Sequence, residues 1–310
     1  MSAMNIMAKT TLQDKQLHCI GAGACGSVWS TNNYNDDKAT STVLKREDGA
    51  KGRSLLNDYQ VHLSVIHALP RCPESIRTAF RIPQCHGFFR PGEHTRLFLQ
   101  RFPLEQQQSC NILVSQRIPP LSKMTRDLLC DKYCPPSFLD QIKADPRSVD
   151  CLIRPYLGRR RDPGNAGRQS KFQSFSLQNH VVSIDQMDDL GITADMKEQY
   201  AAAMAKALAF MHWCARIDAD DVEPLSMYEA GIALAQKAFY RNDLYYPRPA
   251  RAHPEDQRLW LVFKRSFLEA SLSILRSDAS VASDIPNDLP SQADGSHRVW
   301  RGWAFWMMTR

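Results

Sequence analysis

The chain predicts an α+β protein of two lobes, a small β-rich amino-terminal lobe followed by a helical one. Three observations carry that expectation. Short β-prone runs crowd the stretch between residues 17 and 118, around the glycine-rich ribbon "IGAGACGSVW". After Pro119-Pro120 the apolar residues recur at the three-to-four spacing of helices. At 310 residues and 43% hydrophobic content, the chain can bury a core in one large domain or in two lobes.

The elements follow in order. Residues 1–16 are expected to be a flexible amino terminus, 17–121 the β-rich lobe, 122–276 the helical lobe, and 277–310 a flexible tail rich in Ser, Asp and Pro. In the first lobe "LHCI", "SVWST" and "TVLKRE" read as strands, the third preceded by the polar loop "NNYNDDKATS". The run 54–69 sets Leu55, Tyr59, Leu63 and Ile66 at helical spacing behind Ser54, and "IPQCHGFF" and "NILVSQRI" add two β runs. In the second lobe "SKMTRDLLCDKYC" reads as a helix and "CLIRPYLG" as extended chain. The clearest helix, 194–213, carries Met196, Tyr200, Ala203, Ala207, Leu208 and Met211 as its expected core stripe. Ser226 and Glu229 form a capping box ahead of "AGIALAQKAFYRN", and "DQRLWLVFKRSFLEASLSILRS" closes the lobe.

Composition excludes several classes. The amino terminus lacks a continuous apolar segment, and no run approaches the length needed to span a bilayer, so an intracellular protein, cytoplasmic or nuclear, is expected. Nine cysteines are an odd and scattered set, which reads as reduced thiols. Cys130-x-x-x-Cys134, with Cys151 and His180 further on, lacks the second tight pair of a zinc site, so zinc is not expected. The net charge of +6 is mild, and the basic run "RPYLGRRRDPGNAGRQSK" reads as solvated surface without the aromatic interleaving of a nucleic-acid binder. That run and the aromatic end "VWRGWAFWMMTR" are the segments that offer a surface to an unidentified protein partner.

The ribbon decides the chemistry. Gly21, Gly23 and Gly26 make G-x-G-x-x-G, and the β-prone Ser27-Val28-Trp29-Ser30 that follows favours a hairpin over a strand-to-helix turn. No G-K-[ST] is present, which excludes a P-loop. A glycine hairpin can lay its main-chain N–H groups over a polyphosphate, with Val28 as the roof for a base. A tight turn accounts for one or two of these glycines but does not require three. On the third strand Lys45 is the expected phosphate ligand, and Asp58, followed by Val61 and Val65 on the next helix, is the carboxylate expected to orient it. In "ALAFMHWCARIDADDVE", Asp218 takes the place of the base for an acceptor hydroxyl and Glu223, five residues on, that of a Mg²⁺ ligand. Arg216-Ile217 stands where His-Arg is usual, and the acidic cluster reads equally as a solvated turn. With these residues the expected fold becomes protein-kinase-like.

The segments "GAGACGSVW", "VLKREDGAKGRSLLNDYQVH", "CNILVSQRIPPL", "CLIRPYLGRRR", "ALAFMHWCARIDADDVE" and "AFYRNDLYYPRP" resemble a fungal family of unassigned function often labelled "zinc finger protein". The resemblance covers residues 17 to 270 and implies an architecture remotely like that of protein kinases. One departure matters: kinases follow the acidic loop with a hairpin ending in an Asp-Phe-Gly type segment that holds the metal, whereas Glu223 here runs straight into Pro224-Leu225. Loss of the main metal ligand costs on the order of a thousandfold in rate. The expectation is therefore a catalytically impaired, kinase-like protein with a regulatory or accessory role, binding ATP and Mg²⁺ weakly. The alternatives are a non-catalytic interaction module, and an active phosphotransferase if the missing hairpin reflects a mis-spliced gene model.

Overall fold

The computed structural model describes residues 16–23, 26–31, 42–48, 54–92, 99–161, 175–178, 180–217 and 244–277. It is a mixed α+β structure with an antiparallel sheet and several helices. The chain divides into two compact units, the first built from 1–63, 82–153 and 174–180, the second from 64–81, 154–173 and 181–310.

The first unit is organised by a five-stranded antiparallel sheet. Its strands are β1 (Leu17–Gly23), β2 (Gly26–Thr31), β3 (Thr42–Arg46), β4 (Cys85–Phe89) and β5 (Ile112–Gln116), in the order β1-β2-β3-β5-β4. Residue alternation sorts the side chains between two faces. On one face Leu17, Trp29, Leu44, Ile112 and Val114 form a buried core with Leu99 and Phe102. Trp29 meets Phe102 edge to face at 5.1 Å. On the other face the register sets Gly21 against Val28, Val28 against Lys45, and Lys45 against Leu113. One extra residue interrupts the β1 register between Cys19 and Gly21, so Ile20 is the unpaired position.

Helix α1 (Leu55–Ala68) follows β3. Its amino-terminal part docks on the β4 side, where Tyr59 stacks on Phe88 at 5.0 Å and the His62 ring lies 2.7 Å from the Pro83 carbonyl. Helix α2 (Glu74–Arg77) is a single turn. Helix α3 (Lys123–Tyr133) is capped by Ser122, whose side chain accepts the Thr125 N–H. Helix α4 (Leu139–Ala144) lies against it.

Strands β6 (Ile153–Tyr156) and β7 (His180–Ser183) pair as a separate two-stranded sheet. Beyond β7 come α5 (Ile184–Asp189), α6 (Ala194–Phe210) and α7 (Pro254–Ser277). The packing of α6 on α7 dominates the second unit. It uses the expected stripe only in part: Leu208 is buried as expected, but Met196 and Tyr200 are exposed while Lys197, Ala201, Ala205 and Ala209 are buried. The reason is electrostatic and steric together. Lys197 is held by Asp188 and Glu255, and the three buried alanines let α7 approach with Phe263 and Phe267. A π-helical turn, Met211–Ala215, ends α6, and there the Trp213 indole N–H donates to Ser271 Oγ at 2.8 Å.

The expected helix behind Ser226 and Glu229 lies outside the described residues, as do the expected flexible termini. Among the described residues no helix is long and apolar enough to cross a membrane.

Candidate functional site

The hairpin that joins β1 to β2 is shaped by two different demands on its glycines. Gly26 has a φ of 146°, and a Cβ placed there would lie 1.7 Å from the Arg46 carbonyl oxygen. Only glycine allows β2 to approach β3 so closely. Gly21 and Gly23 meet no such constraint, since a Cβ on either would find nothing within 4 Å. Their bare main chain faces open space. The ribbon is held from behind by Asp48, which accepts the Ser27 N–H at 2.7 Å and the Ser27 hydroxyl at 2.6 Å. The Trp29 indole N–H in turn donates to Ser27 Oγ at 2.6 Å.

That open space is a cavity of about 310 Å³, within the range of small-molecule sites. Ile20, Val28, Ile118, Pro120 and Leu152 give it apolar walls. Gly21, Gly23 and Gly26 line it at the ribbon, Lys45 supplies a cation, and Asp150 and Gln178 supply further polar groups. Lys45 is fixed by an ion pair from Nζ to Asp58 Oδ2, with both side chains roughly 70% buried. The sequence-derived residues Gly21, Gly23, Gly26, Val28 and Lys45 therefore meet on one wall, with Asp58 behind the lysine. Asp218 and Glu223 lie outside the described residues.

The next residue along β3 faces the other way and is fully committed. Arg46 donates to Gln106 Oε1 at 2.6 Å, and its guanidinium lies 4.9 Å from the Phe102 ring centre. Strand alternation thus separates a structural cation from one that lines the cavity.

Sequence reasoning missed Arg117 and Asp150. They form a buried ion pair at the far end of the cavity, with side chains only 8% and 6% exposed. Arg117 also donates to Ser30 Oγ at 3.3 Å, and His18 Nε2 lies 3.7 Å from Asp150 Oδ2. No local pattern links residues 33 positions apart; the Arg directly after a β run was the one available cue.

Among the described residues, the thiols and the basic run lie outside this cavity. Burial pushes the Cys151 thiol up to about 11, and it raises Cys130 and Cys134 above the ordinary thiol value. The eight described cysteines are free thiols. In the basic run, Arg160 is held by Glu255 and Asp256, and Arg161 by Asp185 and Asp189. Two of the three adjacent arginines are therefore ion-paired, although Arg161 stays 47% exposed. His253, Glu255 and Asp256 lie close enough to share a metal ion, yet Arg160 and Lys197 already hold the two carboxylates.

Neither a curated protein nor a solved structure matches the chain. Residues 213–279, which include the end of the π-helical turn, the Tyr245-Tyr246 segment and all of α7, match the model of an uncharacterised domain family described as "Zinc finger protein".

Proposed function

We propose that the first unit binds a nucleoside triphosphate and that the chain is a kinase-like protein whose role is regulatory or accessory rather than catalytic. The observation that carries this reading is the single cavity wall on which the open main chain of Gly21 and Gly23 meets the Lys45 ammonium. A glycine ribbon, a lysine on the third strand and a carboxylate on the following helix are the parts that kinases use to hold phosphates. The Ser27 N–H is already taken by Asp48, so it is not among the amides offered to phosphate.

Each residue then has a task. Lys45 donates to phosphate oxygens, a charge-assisted contact that contributes about 1.5–3 kcal/mol. Asp58 keeps the ammonium aimed. Val28 and Leu152 bracket a flat apolar ring. Asp218 is the base in the reading that includes turnover. Mg²⁺ would neutralise phosphate charge when bound, with Glu223 as the ligand the sequence offers, but the metal-binding hairpin is missing from the chain.

A thermal-shift titration of the full chain with ATP and Mg²⁺ tests the proposal. Saturating ATP at about a hundred times Kd should add about 2.7 kcal/mol of stability. Lys45→Ala should weaken binding about 10–100-fold, as expected from the lost charged contact. Absence of a shift in the wild type, or an equal shift in the variant, rejects the site. The alternative, a non-catalytic interaction module, draws on Met124 and Leu128, four residues apart and exposed on α3. It predicts no response to ATP at all.

A further inference from the structure

The phosphate end of the cavity does not account for its other end. Val28 and Ser30 are two residues apart on β2, so they share a face and are separated by about 7 Å. Lys45 is level with Val28, whereas His18 is level with Ser30. Asp150 belongs to the Ser30 level, because Arg117 joins it to Ser30 Oγ and its Oδ2 faces His18. A polyphosphate seated at Lys45 would therefore direct its nucleoside half toward Asp150.

The polar groups at that end are mostly acceptors. Pro119 and Pro120, in the segment that follows β5, have no main-chain N–H to offer a base. Gln178 directs its amide nitrogen toward the Arg147 carbonyl at 3.5 Å. Asp150 is 94% buried in its side chain and lines the cavity. Its Oδ1 accepts from Arg117, and its Oδ2 faces His18 Nε2 at 3.7 Å, beyond hydrogen-bond length. A carboxylate that borders the cavity can accept a further hydrogen bond, and a ligand N–H or O–H would supply it.

We propose that Asp150 is the specificity-determining residue of this cavity, its Oδ2 accepting a hydrogen bond from a donor on the nucleoside half of the bound nucleotide. The proposal rests on the nucleotide reading above. Arg117 is the positioning partner that keeps Asp150 turned toward the ligand. The donor is an exocyclic amine of the base or a hydroxyl of the ribose, and these are separable with ligands alone.

The test measures binding of four probes to the full chain: ATP, purine riboside triphosphate, 2′,3′-dideoxy-ATP and tripolyphosphate. The expected result is that one of the two altered nucleotides binds about 10–100-fold more weakly than ATP, which identifies the donor. Asp150→Asn should erase that discrimination, bringing ATP to the level of the weaker analogue while leaving tripolyphosphate unchanged. Equal binding of all three nucleotides overturns the proposal, as does a variant that discriminates like the wild type. If Asp150→Asn does not fold, the wild-type series decides by itself. Lys45-dependent binding that ignores the nucleoside rejects Asp150 alone, whereas absence of Lys45-dependent binding rejects the site and this assignment with it.

Discussion

A methyl group at Gly26 would sit 1.7 Å from the Arg46 carbonyl oxygen, on a residue whose φ of 146° already disfavours any side chain. Gly26→Ala should therefore cost about 2 kcal/mol or more, read as a clear drop in melting temperature. Gly21→Ala and Gly23→Ala have the opposite signature. Space is open around both, so stability should stay within about 0.5 kcal/mol of wild type. A new Cβ at either position would nonetheless hold a phosphate away from the main chain, so the ATP-induced thermal shift should shrink. If Gly21→Ala and Gly23→Ala both bind ATP like wild type, these glycines serve only the turn.

At the scale of elements, the α6–α7 pair shows how charge can choose a helix face. Burial by itself would raise the Glu255 carboxyl, but hydrogen bonds from Lys197 and Arg160 outweigh it and hold the group below its ordinary value. A depressed carboxylate contributes stability that is complete above the unfolded pKa of about 4.3 and is lost as pH falls through the folded value. Melting temperature should therefore fall as pH drops below about 4.5. Glu255→Gln should melt lower than wild type at pH 7 and lose less on acidification. Parallel curves for the two proteins would show that Glu255 does not set the acid limb.

On the scale of the molecule, neither compact unit is one continuous stretch of chain. Cutting after Leu121 would separate Arg117 from Asp150 and the Leu121 N–H from its acceptor, the Cys151 carbonyl at 3.0 Å. A buried guanidinium without its carboxylate costs about 3–5 kcal/mol. A fragment of residues 1–121 should therefore lack a cooperative melt where the full chain has one. A sharp transition from that fragment would show that the sheet closes its core without Asp150.

Sequence by itself determined the local pieces: the strands around the ribbon, the hairpin at Gly26, the helix carrying Asp58 and the final helix at 254–277. Each depends on periodicity, turn chemistry or capping within a few residues, so it is written in neighbouring letters. Even the pairing of Lys45 with Asp58 was legible, because a strand and the helix after it leave few choices for a cation and a carboxylate 13 residues apart. Tertiary structure alone decided that Gly26 answers to Arg46 and that Lys197, not Tyr200, is buried. It also brought Asp150 to the cavity. These outcomes depend on strand register, on which helix face meets its neighbour, and on contacts across 33 residues, and such long-range packing leaves no periodic trace in the chain.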